Sequence, residues 1–215
     1  MILVVCSIAL VSFGISVIDG NSIKGSGTLI KEARPLTDFT GVEVGGAVKL
    51  HVTNSSSYTV EVEADDNLMS YVETKVSHGV LIISMKDGYS YNNSTVRVRV
   101  SLPTLHSLDI SGASEGTASN ISSDKLSLEL SGASHLKIDG KTSNLTCEVS
   151  GASSLKAGDL MAENVSVECS GASSSYVYAS SAITIDASGA SKVSYSGNPS
   201  TITRESSGAS SIVKR

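Results

Sequence analysis

The sequence is short of rings and of positive charge. Among its 215 residues there is no Trp, two are Phe and seven are Tyr, so platforms for stacking bases or sugars are few. Lys and Arg number 16 against 21 Asp and Glu, a net charge of −5. A protein that neutralises phosphates needs the opposite balance, so no nucleic acid is expected as a partner. Serine takes up the space that is left. Its 43 residues are a fifth of the chain, and with 19 Gly they dominate the C-terminal half. Such a composition can signal disorder, but 40% hydrophobic residues and a mean hydropathy of +0.12 call for a packed core.

Residues 2–18 are almost wholly apolar and run directly into the polar Asp19-Gly20-Asn21-Ser22. With the small residues Gly14 and Ser16 near its end, this run reads as an export signal. It also meets the lower length limit of a bilayer span, so residues 1–20 are a signal peptide or a retained N-terminal hydrophobic segment. No basic region precedes it. Cys6 follows Val5, where a lipidation site would carry a small residue, which argues against a lipid anchor there. Loss of the leader leaves Cys147 and Cys169, an even pair that in an exported protein invites a disulfide.

The tetrapeptide Ser-Gly-Ala-Ser begins at Ser111, Ser131, Ser150, Ser170, Ser188 and Ser207, at spacings of 20, 19, 20, 18 and 19. A period near 20 means stacked identical units. Each word is preceded by strict alternation, as in Leu126-Ser-Leu128-Glu-Leu130 or Leu145-Thr-Cys147-Glu-Val149, and followed by a second alternating piece such as Leu136-Lys-Ile138. Period two is the mark of half-buried strands, so each unit is strand, bend, strand, turn. At about 3.3 Å per residue such a unit traces roughly 65 Å, one turn around a prism about 20 Å on a side. The predicted fold is all-β, a parallel β-helix (solenoid) with coils of about 19–20 residues.

Stacked coils explain the tetrapeptide without chemistry. Gly112, Gly132, Gly151, Gly171, Gly189 and Gly208 supply a corner, with φ above zero where the bend demands it. The Ala is expected to tuck inside, and the flanking Ser hydroxyls to bond along the stack. A Ser nucleophile would need a base beside it, and none recurs with the word. In the same register Cys147 aligns with Val167 and Cys169 with Val149, which separates the two Cα atoms by roughly 8 Å, beyond disulfide range. They are expected to be free core thiols.

Residues 25–105 are irregular but strand-rich, with Val42-Glu-Val44, Tyr58-Thr-Val60-Glu-Val62 and Val96-Arg-Val98-Arg-Val100. Gly45-Gly46-Ala47 reads as a degenerate seventh copy of the word, and Asp65 to Thr74 hints at a short helix. This half is taken as the first coils of the same solenoid, giving a single domain over residues 21–215 with regular repeats from 106 to 215. The motifs Arg34-Pro35-Leu36-Thr37-Asp38-Phe39, Gly79-Val80-Leu81-Ile82-Ile83, Leu102-Pro103-Thr104-Leu105 and the Ser-Gly-Ala-Ser series together resemble the auto-transporter adhesin family with a head GIN domain. The resemblance covers about residues 25–215. It implies an exported bacterial protein of β-helical fold, in the periplasm, at the outer membrane surface or outside the cell. It brings no catalytic residues to carry over.

Glu43, Asp109, Glu129, Glu148, Glu168, Asp186 and Glu205 hold one position in successive units and alternate with inward apolar residues. Stacked outward at about 4.8 Å they repel by roughly 0.9 kcal/mol per pair in water. Three readings follow: a plain solvated face, neutralisation by Lys137, Lys156 and Lys192, or Ca²⁺ held between Glu129, Glu148, Glu168 and Asp186. No cofactor is otherwise implied. His51, His78, His106 and His135 lack ligand spacing. The Asn-x-Ser/Thr sites are chance matches in a Ser-rich chain. The functional expectation is a non-catalytic, adhesin-like binding or structural module of the cell envelope, facing a glycan or a cell-surface protein, with homodimerisation through exposed solenoid ends as a further possibility. The alternatives are a β-helical carbohydrate-active enzyme, lyase or hydrolase, and an envelope signalling or scaffold protein. An enzyme would interrupt the repeat with non-equivalent Asp, Arg and Lys in a groove.

Overall fold

The computed structural model describes residues 21–215, so the leader expectation for residues 1–20, Cys6 included, lies outside the described residues. Seventeen strands follow in order. They are β1 (Ser22–Lys24), β2 (Leu29–Ala33), β3 (Gly41–Val44), β4 (Lys49–Asn54), β5 (Thr59–Asp65), β6 (Val72–Ser77), β7 (Val80–Met85), β8 (Ser90–Asn92) and β9 (Val96–Leu102). Then come β10 (Ser107–Ile110), β11 (Glu115–Leu130), β12 (His135–Val149), β13 (Ser154–Cys169), β14 (Ser174–Ala187), β15 (Lys192–Ser196), β16 (Thr201–Ser206) and β17 (Ser211–Lys214). One 3₁₀ turn, Met69–Tyr71, falls within the stretch that hinted at a helix.

The repeats stack as a parallel β-solenoid of about five turns. Leu126, Leu128 and Leu130 pair with Leu145, Cys147 and Val149, which pair in turn with Val165, Val167 and Cys169. Because side chains alternate, this register sends every one of those residues inward, and all nine are buried. Each long strand, β11 to β14, spans a corner of the prism where its pairing shifts, as between Ala118 and Ile121. Two faces result. The first carries β7, β3, β10, the second halves of β11 to β14, and β16; the second carries β9, β4, the first halves of β11 to β14, β15 and β17.

The tetrapeptide is the corner between those faces. Its six glycines have φ of 70 to 73°, a conformation that side chains with Cβ rarely adopt. A Cβ on any of them would also lie 2.5 to 2.8 Å from the carbonyl oxygen of the glycine one coil below. That oxygen accepts a hydrogen bond from the Ala N–H above it, at 2.7 to 2.8 Å, from Gly46 up to Gly189. Gly46-Ala47 thus sits directly under Gly112-Ala113 although it comes 66 residues earlier in the chain. The side-chain directions differ from expectation. Ala113, Ala133, Ala152, Ala172 and Ala190 are exposed, and the Ser that follows each is buried. The left-handed glycine resets the alternation, and the inner corner is lined with carbonyls that a small hydroxyl can satisfy: Ser173 Oγ donates to Val149 O at 3.0 Å, and Ser191 Oγ to Cys169 O at 3.3 Å.

The N-terminal half is not a plain continuation of the parallel coils. β7 and β9 stack in parallel beneath β3 and β4, but β6 runs antiparallel to β7, β5 to β9, and β2 to β5. The chain therefore doubles back below the first coils and closes that end with reversed strands. At the other end the core turns polar. Arg204 occupies the inward column of Leu128, Cys147, Val167 and Ile185, and its guanidinium lies 5.1 Å over the buried Tyr195 ring. Lys214 occupies the column of Ala157, Val177 and Tyr195. Polar substitutions at terminal repeats keep a solenoid end soluble.

Candidate functional site

Seven carboxylates stand in one column on the first face. Glu43, Asp109, Glu129, Glu148, Glu168, Asp186 and Glu205 are rung-to-rung partners, with a parallel column of hydroxyls from Ser107, Ser127, Thr146, Ser166, Thr184 and Thr203 beside them. All are exposed except Asp109, which is half-buried between the longer Glu43 and Glu129. Burial, reinforced by those two neighbours, pushes its carboxyl up to about 6. A shallow groove of about 320 Å³ follows the column past Glu129, Glu148, Glu168 and Asp186.

Among the described residues no ion pair neutralises this ladder. Lys137, Lys156 and Lys192 lie beyond the corner on the second face, so their expected role as counter-charges is corrected: the period-two pattern fixes in and out, but the corner separates the two faces. Among the described residues no three His, Cys, Asp or Glu side chains converge as metal ligands. A cation meets pairs of stacked carboxylates there, without a cage.

The second face is charged differently along its length. Toward the N-terminal end its cations are paired: Arg97 reaches Glu63 at 2.6 Å, Arg99 reaches Glu61 at 3.0 Å, Lys31 reaches Glu61 at 3.0 Å, and Lys49 meets Glu115 at 3.8 Å. Hydrogen bonds from Arg97 hold the Glu63 carboxyl below its usual range, and those from Lys31 do the same for Glu61. Further up, Lys137 and Lys156 are stacked partners with no ion pair among the described residues.

A wide hollow of about 790 Å³ lies along the third edge, where His106, Asp124, Lys141, Met161, Glu163 and Tyr178 come together. Lys141, Met161 and Tyr178 are rung partners of unlike chemistry, and sequence reasoning, which had set His106 aside, missed the cluster because no residue type recurs there. No ion pair or hydrogen bond joins their side chains among the described residues, and acid–base chemistry needs partners within about 3 Å. Two other His have local partners: His51 pairs with Thr53 at 3.3 Å, and His78 with Ser77 at 3.1 Å. Cys147 and Cys169 are free and buried. Burial raises both thiols, Cys169 up to about 11.

A solenoid of these coils, cornered by glycine, has known counterparts. The putative auto-transporter adhesin family, head GIN domain, matches residues 38–199. The chain belongs to this family. Solved structures of similar shape are known. One, described as a putative adhesin from Bacteroides fragilis, has a TM-score of 0.73 at 18% identity and covers 90% of this chain and 100% of its own. A second, described as a putative adhesin from Parabacteroides merdae, has a TM-score of 0.61 at 17% identity over 91% and 99% of the two chains. A third, from Parabacteroides distasonis, is described as a putative lipid binding protein, with a TM-score of 0.58 at 19% identity over 91% and 100%. At these identities the likeness establishes the fold. Among curated proteins none matches the chain.

Proposed function

We propose that this head GIN protein is an exported, non-catalytic binding module of the bacterial cell envelope that presents its solenoid faces to a glycan or a protein partner. The observation that carries the reading is regularity: outward side chains repeat in a straight column over seven rungs of the first face, on faces without loops to wall a pocket. Such a surface suits many weak, repeated contacts, which gain by multivalency. The adhesin description of the family agrees with it. A carbohydrate-cleaving reading has less support, since the third-edge hollow is open and its acids and bases are not bonded to one another.

The test is a glycan-array and surface-protein screen of the full chain, with and without calcium. Saturable binding to a subset of ligands that are recovered intact is the expected result; chromatographic detection of cleaved glycan would overturn it. Export is checked by the mature N-terminus in cell fractions. Processing or membrane retention near residues 18–21 is expected, and an intact Met1 on cytosolic protein contradicts it.

A further inference from the structure

The second face holds a feature that the adhesin reading does not assign. Lys137 and Lys156 point outward from the same position of adjacent coils, about 4.8 Å apart at the backbone. Two rungs above Lys156 and one column to the side is Lys192, and Arg215 closes the upper end. The four cations line one shallow depression of about 440 Å³, with Tyr176 and Asp159. No ion pair neutralises any of them among the described residues, although every other cation of this face up to Lys49 has a carboxylate. Uncompensated like charges in adjacent rungs are destabilising, so their stacking calls for an anion from outside.

The floor of the depression is built for its shape. Gly158 leaves room for the Tyr176 ring, which a Cβ at that position would strike. The ring hydroxyl bonds Ser196 Oγ at 3.2 Å, and Arg215 lies over the ring at 4.7 Å from its centroid. These contacts tie the Arg215 guanidinium to the ring and the ring to β15. Hydroxyls line the rungs between the lysines, with Ser174 Oγ donating to Ser154 Oγ at 3.1 Å.

We propose that Lys137, Lys156, Lys192 and Arg215 form a binding strip for a linear acidic polysaccharide. The inference rests on the adhesin reading and names a ligand class and a site for it. A single anion would need one or two of these cations. The strip instead runs three rungs, roughly 14 Å, from Lys137 to Lys192, which fits an extended chain bearing a charge on successive units. Ser hydroxyls and the Asp159 carboxylate give the mixed donors and acceptors that sugar hydroxyls require. The same carboxylate, in a chain of net charge −5, disfavours the denser charge of nucleic acid.

The test measures binding of the full chain to sodium polygalacturonate, to neutral dextran, to free galacturonate and to single-stranded DNA, at low and at moderate salt. Polygalacturonate is expected to bind, more weakly as salt rises, with dextran and the monomer at least about tenfold weaker. The K137Q/K156Q double variant should lose about tenfold in polygalacturonate affinity, while E148Q/E168Q, on the other face, should not. Absence of polygalacturonate binding at low salt, an unchanged affinity in K137Q/K156Q, or equal binding of single-stranded DNA each overturns the strip. If the strip fails while the array screen still finds a ligand, the adhesin reading stands without it.

Discussion

At Gly151 two requirements coincide: φ is 70°, and a Cβ would lie 2.5 Å from Gly132 O. Gly27 shares only the first, with φ of 85° and open space around it. G151A is therefore expected to lose about 2–4 kcal/mol in denaturant unfolding, and G27A only about 1 kcal/mol. Equal losses would mean that the stacked carbonyl does not constrain the corner. Asp109 makes a pH prediction. Its carboxyl is raised to about 6 by burial and by Glu129 and Glu43, so the folded chain holds this proton more tightly than the unfolded one. Stability from this group is thus full below about pH 4 and falls as pH climbs to about 6. D109N should be more stable than the parent by about 1 kcal/mol at pH 7.5, after allowance for solvent screening, and should lose that advantage at pH 4. Cys147 and Cys169 should resist thiol reagents in the native protein and react in denaturant. Alternation made the directions of Leu128, Glu129 and Cys147 legible in the sequence. It failed at Ala133 and Ser134, because a left-handed residue between two strands changes the phase that alternation assumes.

In the carboxylate column the rung-to-rung contacts are between like charges, with no ion pair among the described residues. E148Q/E168Q relieves the rung-to-rung contacts of both residues, so at low ionic strength it should raise stability by about 1–2 kcal/mol. Sodium chloride should shrink that difference, since these side chains are exposed and screened. A difference that persists at 0.5 M salt would indicate a specific contact in place of a general field. Calcium chloride at matched ionic strength separates bridging from screening: a larger rise in melting temperature marks bridging, an equal rise plain screening. The elements themselves were readable from residues such as Val96-Arg-Val98-Arg-Val100, which form β9. Their directions were not. β5 and β9 both alternate, and nothing in alternation distinguishes their antiparallel pairing from the parallel pairing of β4 with β9.

For the molecule as a whole, the repeat decided the architecture, because a period near 20 built from two alternating segments, with no leucine-rich frame, calls for a β-coil. The distribution of charge was less accessible. Lys137 and Lys156 share a place after the corner and could have been aligned as the carboxylates were. Seeing that they lie on a different face from Glu129 and Glu148 needs the corner angle. The third-edge residues Asp124 and Glu163 gave no signal, since Ser143 takes the same place in the coil between them and no residue type recurs there. The central claim is that all seven corners, Gly46 included, stack at one coil per rung. Paired nitroxides measured by pulsed dipolar spectroscopy test it directly, with one label at position 205 and the other at 129, 109 or 43. The solenoid requires backbone separations of roughly 19, 24 and 29 Å, one strand spacing per rung, so that the 66 residues between Glu43 and Asp109 add only about 5 Å. A label at 43 that lies much farther away, or that gives a broad distribution, would contradict the stack.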